Sequence, residues 1–297
     1  VGVDGKIRSG STDLYDIFPQ GGGTSGNLWS ASTGTASIIA NNGSGNLASG
    51  NFSIAGGQGN SATTLLSVVI GGQLNSATGS LSFIGGGTSN AASGNGSVLV
   101  GGVSNLSSGN YSSIIGGRYN NLSGNFSVVA GGYFNSATTI YSVVAGGKNN
   151  LASGNFSFVG SGSGNTASGY YSVVTGGYGN IASQTFSIVG GGKYNTANGF
   201  MSFVGGGSGN TASLSYAAVV GGQTNQAYGA RSFVGGGKNN LASGVSSFVG
   251  SGIGNRATGI NSFIGGGYNN FTVSSLSTVV GGYGNSATTY DASVVGG

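Results

Sequence analysis

The chain has 297 residues, 67 of them glycine, and a formal net charge of +4 without any His or Cys. Its acidic side chains are four Asp and no Glu, so general acid-base catalysis and most metal sites lack candidate residues. We therefore predict no enzyme activity, no cofactor and no metal. The six charges between residues 36 and 290 are all basic but too dilute for a nucleic-acid groove, and no apolar run of about 18 residues predicts a membrane span.

The first 34 residues differ in composition from the rest of the chain. They hold three of the four acids, the only Pro and the only Trp, namely Asp4, Asp13, Asp16, Pro19 and Trp29. The segment VDGKIRSGSTDLYDIF alternates apolar and turn residues, which indicates a short hairpin. It is similar to connector segments that precede the distal parts of virus and phage fibres. A cap covering the first repeat is the alternative, so residues 1–34 are predicted to be an N-terminal connector or a cap.

Residues 35–297 form an internal repeat with a period of fifteen. We number the repeat from 1 to 15, beginning at its Asn. Position 3 is usually Ala, and positions 12 and 13 are usually a Gly pair. The periodic Asn residues are Asn60, Asn75, Asn90, Asn105, Asn120, Asn135, Asn150, Asn165, Asn180, Asn195, Asn210, Asn225, Asn240, Asn255, Asn270 and Asn285.

Positions 8 to 13 carry the motif Ser-x-Val-x-Gly-Gly, as in SVVAGG beginning at Ser142. The motif is β-branched, and glycines every few residues would cost about 1 kcal/mol each in a helix. A strand, a turn, a shorter strand and a second turn fit inside fifteen residues. The sequence therefore predicts an all-β, parallel β-solenoid of about seventeen coils, with Gly and Asn at the corners and the Asn side chains stacked in a ladder.

Positions 9 and 11 exchange volume along the repeat. Phe158 is followed by Gly160, whereas Val143 is followed by Ala145. In a strand these two positions share a face, and close packing penalises both voids and overfilling. We predict that their side chains compete for one space.

Position 10 is large and apolar in every coil from Val69 to Val279. It points away from positions 9 and 11, so both faces of this strand are predicted to be buried. Since a thin solenoid has one interior, the other face should meet another chain, and three chains around an axis would enclose a core. The candidate oligomer or core stripe comprises Val129, Val144, Val159, Val174, Val189, Val204, Val234 and Val249.

The run SVVIGGQLNSATGSLSFIGGG, residues 67–87, resembles the head repeats of YadA-type trimeric autotransporter adhesins. It also resembles the glycine-rich repeat shafts of phage and large-virus fibre proteins. The resemblance implies a left-handed parallel β-roll assembled as a homotrimer for attachment to surfaces. A second resemblance, of GGYGNSA at 281–287 to the core of curlin repeats, implies instead a subunit of an extracellular filament or sheath.

Position 14 varies among amide, basic and aromatic residues. Such groups suit stacking on sugars or pairing with acidic cell-surface polymers, although a solvated corner that tolerates any polar residue is the alternative. The candidate receptor-contact column comprises Arg118, Tyr133, Lys148, Tyr178, Lys193, Lys238, Tyr268 and Tyr283.

These patterns together predict a structural and adhesive segment, the shaft or head of a viral or phage fibre or of a bacterial surface adhesin. Its predicted location is extracellular, on a virion fibre or a cell surface. The predicted partners are other copies of the chain, further fibre or anchor segments, and a cell-surface polysaccharide. Because the sequence stops within a motif at Gly297, we expect the repeats to continue beyond it.

Overall fold

The computed structural model describes residues 8–9, 12–13, 29–40 and 45–297. Their regular secondary structure is entirely β-strand, and none of them belongs to a helix that could cross a lipid bilayer. The chain divides into two compact units, residues 1–122 and 123–297. Each unit is a parallel β-solenoid built from the same coil, with about seventeen coils in the whole chain, which confirms the all-β solenoid prediction.

Two antiparallel pairs of short strands lie at the start of the first unit. Arg8–Ser9 pairs with Thr12–Asp13, and Trp29–Ala31 pairs with Ile38–Ala40. Because Ile38–Ala40 also pairs in parallel with Ile54–Ala55, Trp29–Ala31 occupies the remaining edge of that strand. Residues 1–7, 10–11 and 14–28 of this segment lie outside the described part of the chain.

Each coil contributes one two-residue strand at positions 2–3 to a sheet that we name the alanine sheet. In the first unit its strands are Leu47–Ala48, Ser61–Ala62, Ser76–Ala77, Ala91–Ala92, Leu106–Ser107 and Asn121–Leu122. In the second unit they are Ser136–Ala137, Leu151–Ala152, Thr166–Ala167, Ile181–Ala182, Thr196–Ala197, Thr211–Ala212, Gln226–Ala227, Leu241–Ala242, Arg256–Ala257, Phe271–Thr272 and Ser286–Ala287.

A second strand at positions 9–10 belongs to a sheet that we name the valine sheet. In the first unit its parallel strands are Ile38–Ala40, Ile54–Ala55, Val68–Val69, Phe83–Ile84, Val98–Leu99 and Ser113–Ile114. In the second unit they are Val128–Val129, Val143–Val144, Phe158–Val159, Val173–Val174, Ile188–Val189, Phe203–Val204, Ala218–Val219, Phe233–Val234, Phe248–Val249, Phe263–Ile264, Thr278–Val279 and Ser293–Val294.

The pairing register equals the sequence repeat. In the second unit, Val144 pairs with Val159 and Ala152 pairs with Ala167. Each coil position is therefore stacked on the same position of the next coil, and one residue type forms a continuous row. This arrangement explains why the sequence repeats with so little variation.

The interior of each coil is made of four rows. Positions 1 and 3, usually Asn and Ala, lie inside the alanine sheet, and positions 8 and 10, usually Ser and Val, lie inside the valine sheet. Two successive half-coils show this burial, at Asn150 and Ala152 in the first and at Ser157 and Val159 in the second. Both pairs obey the two-residue period of a strand, and a small Ala on one side leaves room for Val on the other.

The Asn row forms a hydrogen-bonded ladder. Asn150 Nδ2 donates to the carbonyl oxygens of Gly146 (2.9 Å) and Gly162 (3.0 Å), and its Oδ1 accepts from the backbone N–H of Asn165 at 3.0 Å. The predicted ladder is thus present, but most of its bonds join side-chain amides to backbone groups. These bonds satisfy polar groups that would be costly to bury alone.

The corners have left-handed backbone at positions 7, 13 and 15. At position 13 the residue must be Gly: Gly207 has a φ of 86°, and a Cβ there would lie 2.1 Å from the carbonyl oxygen of Gly222. Positions 7 and 15 accept bulky residues, such as Phe156 at position 7 with φ 57° and Tyr194 at position 15 with φ 55°. The prediction that Gly and Asn fill the corners is therefore incomplete, although left-handed backbone costs a residue with a side chain about 1–2 kcal/mol.

Positions 9 and 11 share one space, as their exchange of volume predicts, but that space lies on the outer surface. A Cβ added at Gly160 would lie 3.4 Å from Cε1 of the Phe158 ring. Phe158 itself is 37% exposed. The exchange thus shapes the outer face of the valine sheet rather than the interior of the coil.

Candidate contact surface

The position-10 stripe lies in the interior of the coils. Its members in the second unit have no exposed surface; they are Val129, Val144, Val159, Val174, Val189, Val204, Val234 and Val249. The structure therefore places the stripe in the core of each coil and leaves positions 9 and 11 as the outward apolar face. The sequence alone could not distinguish these two faces, because both are apolar.

Position 14 lies at a corner of the coil in each unit, and every predicted member of the column is exposed. Isolated parallel bridges hold successive members in register, for example Tyr133 with Lys148 and Tyr178 with Lys193. Within the second unit the structure brings three pairs of these residues together: Tyr133 with Lys148, Tyr178 with Lys193, and Tyr268 with Tyr283. Arg118 belongs to the first unit, where its Nη2 donates to the Tyr119 hydroxyl at 3.1 Å.

Lysine and tyrosine alternate at two places in the column. Lys148 Nζ lies 5.8 Å from the centre of the Tyr133 ring. Lys193 Nζ lies 5.8 Å from the Tyr178 ring and 5.1 Å from the Tyr194 ring. At these distances an ammonium group is attracted to the ring face, so the two residue types form joint cationic and aromatic patches.

Tyrosines meet directly at the far end of the column. The rings of Tyr268 and Tyr283 are stacked with centres 5.2 Å apart and planes 4° from parallel, and Tyr283 is 72% exposed. Lys238 is exposed on the same corner. The column therefore offers hydroxyl and ammonium donors along one line, a chemistry suited to hydroxylated or anionic polymers.

A second row of aromatic residues, at position 7, was not predicted from the sequence. Five rings stack along one corner of the second unit, with neighbouring centres 4.7 to 5.4 Å apart. They are Phe126, Tyr141, Phe156, Tyr171 and Phe186. The signal was available, since position 7 is aromatic in six successive coils from Tyr111 to Phe186, but a left-handed corner is not a place where propensity predicts bulky residues.

Stacking explains how the position-7 row is stabilised. Each aromatic contact contributes about 0.5–1.5 kcal/mol, which offsets the cost of left-handed backbone. The backbone N–H of Tyr171 also donates to the carbonyl of Asn155 in the preceding coil at 3.0 Å. Because the rings cover one another's faces, this corner presents mainly ring edges to solvent.

Two tyrosine hydroxyls on these corners are perturbed by neighbouring tyrosines. A hydrogen bond with Tyr170 raises the pKa of Tyr171, and desolvation adds to the effect. A hydrogen bond with Tyr178 likewise raises the pKa of Tyr194. Both hydroxyls therefore stay protonated to a higher pH than an ordinary tyrosine hydroxyl.

The described residues contain no group of three or more His, Cys, Asp or Glu side chains arranged to hold a metal ion. Comparison with known proteins gave no match, either to a protein-family model or to a curated protein.

Proposed function

We propose that the chain is a structural and adhesive segment of an extracellular attachment fibre, the shaft or head of a viral or phage fibre or of a bacterial surface adhesin. The proposal includes assembly as a homotrimer, attachment to a cell-surface polysaccharide, and no catalysis. The observation that supports it most directly is the exposed, registered position-14 column. The YadA-like and fibre-shaft resemblance supports the same role.

The spacing of the column suits a repeating polymer. Lys148, Lys193 and Lys238 recur every third coil, and a coil rise of about 4.8 Å places them roughly 14 Å apart. A long anionic chain could therefore meet one ammonium group after another. Weak contacts of this kind combine into avidity, particularly when several chains display the same column.

Interior residues have a different role in this proposal. The Asn, Ala, Ser and Val rows are buried and hydrogen-bonded or close-packed, so they stabilise the coil and leave recognition to the corners. Repetition then produces length together with repeated surface groups. That combination is what a fibre segment requires.

The proposal is tested by binding of the whole chain to a glycan array that contains sulfated, carboxylated and neutral polymers. The column variant combines Lys148→Gln and Lys193→Gln. Its matched control combines Arg231→Gln and Arg256→Gln, which removes the same charge from outside the column. We expect the column variant to lose at least tenfold in apparent affinity for anionic polymers, while the control retains most of the binding.

Two results would count against this function. Equal loss in both variants would mean that general positive charge, rather than the column, attracts the polymer. Absence of binding to every polymer, combined with end-to-end polymerisation of the wild type in electron micrographs, would favour the filament subunit instead.

A further inference from the structure

The outer valine face of the second unit is an exposed apolar surface. We use this name for positions 9, 11 and 12 of the coils from Val128 to Gly281, none of which is charged. Phe203 is 40% exposed, Val220 is 49% exposed and Val280 is 52% exposed. Isolated exposed apolar residues are common, but a largely apolar face of this length, with hydroxyl side chains only at Ser161, Thr175, Ser251 and Thr278, indicates an interaction surface.

The outer face of the alanine sheet has a different character. Position 4 carries a hydroxyl or amide side chain in all but one coil of the second unit. The residues are Thr138, Ser153, Ser168, Ser183, Asn198, Ser213, Tyr228, Ser243, Thr258 and Thr288, with Val273 as the exception. Position 2 shares this face and is mixed, with apolar side chains at Leu151, Ile181, Leu241 and Phe271. In the second unit the alanine sheet therefore has the more polar outer face and the valine sheet the more apolar one.

Position 12, at the border of the apolar face, is mostly Gly. At five of these glycines, packing within this chain would leave room for a side chain. At Gly146, Gly206, Gly221, Gly236 and Gly281, an added Cβ would have no atom of this chain within 4 Å, and none of them has left-handed φ. Position 13 differs, because a Cβ there would collide with the next coil. The glycines at position 12 keep the backbone open to approach from outside.

The exposed area matches what a stable protein contact needs. About two fifths of Phe158, Phe203 and Phe263 is exposed, which is roughly 80 Å² for each if a whole Phe side chain offers about 200 Å². Over the eleven coils of this face, similar contributions from positions 9 and 11 together would amount to roughly 900 Å². A standard interface buries about 800 Å² on each partner.

Periodicity identifies the partner. The face repeats with the rise of one coil, about 4.8 Å, so a partner can stay in contact along many coils only if it has the same rise. A second copy of this chain meets that condition, and two uncharged faces meet without electrostatic repulsion. We propose that the outer valine face is the contact between copies, with the position-12 glycines allowing close backbone approach.

This inference rests on the assembly part of the proposed function, and its test does not depend on polymer binding. The test variant combines Gly206→Trp and Gly236→Trp, where the chain itself has room for the larger side chain. The matched control combines Ser168→Trp and Asn198→Trp on the exposed polar face. Sedimentation equilibrium measures the mass of the full-length chain, and circular dichroism melting measures its fold.

We expect a multimeric wild type, a multimeric control, and a test variant with the mass of one chain and a retained β spectrum. A second variant, Phe203→Lys with Phe248→Lys, should also fall to the mass of one chain, and it decides the matter if the tryptophan variant fails to fold. A monomeric wild type, or persistence of the multimer in a folded face variant, would overturn the inference. Either result would leave attachment by the position-14 column to be judged on the glycan array.

Discussion

The side-chain oxygen of Asn165 accepts a hydrogen bond, 2.9 Å long, from the backbone N–H of Asn180 one coil later. Asn180 repeats the arrangement toward Asn195 at 2.9 Å. Its Nδ2 also donates to the carbonyls of Gly176 and Gly192, both at 2.9 Å. One buried side chain therefore satisfies three backbone groups at the point where the chain turns between coils.

Replacing one of these asparagines should destabilise the second unit strongly. Asn180→Ala leaves one buried N–H and two carbonyls without this partner, and we expect a loss of about 3 kcal/mol in the free energy of unfolding. Urea unfolding followed by circular dichroism measures it. Asn198→Ala, at an exposed position, should change stability by less than about 0.5 kcal/mol, and equal losses in the two variants would contradict a special role for the ladder.

The neighbouring residues Val173 and Val174 should differ strongly in how much stability the same substitution removes. Val174 is completely buried inside the coil, whereas Val173 lies on the outer valine face. Val174→Asp should therefore destabilise by more than about 4 kcal/mol, because a carboxylate would enter the interior without a partner. Val173→Asp should leave the melting temperature of an isolated chain nearly unchanged, and similar melting losses for the two would show that the faces are assigned incorrectly.

The fifteen-residue period and the β-branched motif were sufficient to predict the fold, because a parallel solenoid stacks equal positions on one another. The same information could not separate inside from outside. Val173 and Val174 are both apolar, and the two-residue period of a strand states only that they face opposite ways. What decides between them is the position of the opposite sheet, where Ala167 and Asn165 form the other half of the interior.

The candidate contact residues, too, could be predicted from the sequence only in part. The exposure of Lys148 and Tyr178 follows from their place at a corner, which the sequence indicated. The aromatic row through Phe156 and Tyr171 did not follow, since each residue alone is unfavourable in left-handed backbone. It becomes favourable through stacking on the same position of the next coil at 4.7 Å, a contact between coils that single-residue propensity omits.

The Phe203 and Gly205 pair offers a test of shared volume on the outer face. A Cβ at residue 205 would lie 2.4 Å from the backbone oxygen of Val220 and 3.3 Å from Cε1 of Phe203. Gly205→Val should therefore destabilise by about 1–3 kcal/mol. Adding Phe203→Val should recover only part of this loss, since the backbone contact remains. A double-mutant cycle by urea unfolding should give a coupling of at least about 0.5 kcal/mol, and additive effects would refute the shared space.

The serine row at position 8 should respond unevenly to alanine substitution. Ser142 Oγ donates to the carbonyl of Thr139 at 2.6 Å and accepts from the Thr139 N–H at 3.3 Å. Ser247 Oγ, equally buried, has no hydrogen-bond partner. Ala217 already occupies this row and is completely buried, so the coil accommodates Ala at position 8.

Ser142→Ala should accordingly cost about 1 kcal/mol or more, because it removes a satisfied hydroxyl and leaves the Thr139 groups with one partner fewer. Ser247→Ala should be neutral or stabilising by up to about 1 kcal/mol, because it removes a buried hydroxyl that gains nothing from folding. Urea unfolding of the two single variants, with identical changes in atom content, measures the difference directly. A larger loss for Ser247→Ala than for Ser142→Ala would mean that the Ser247 hydroxyl finds a partner in solution.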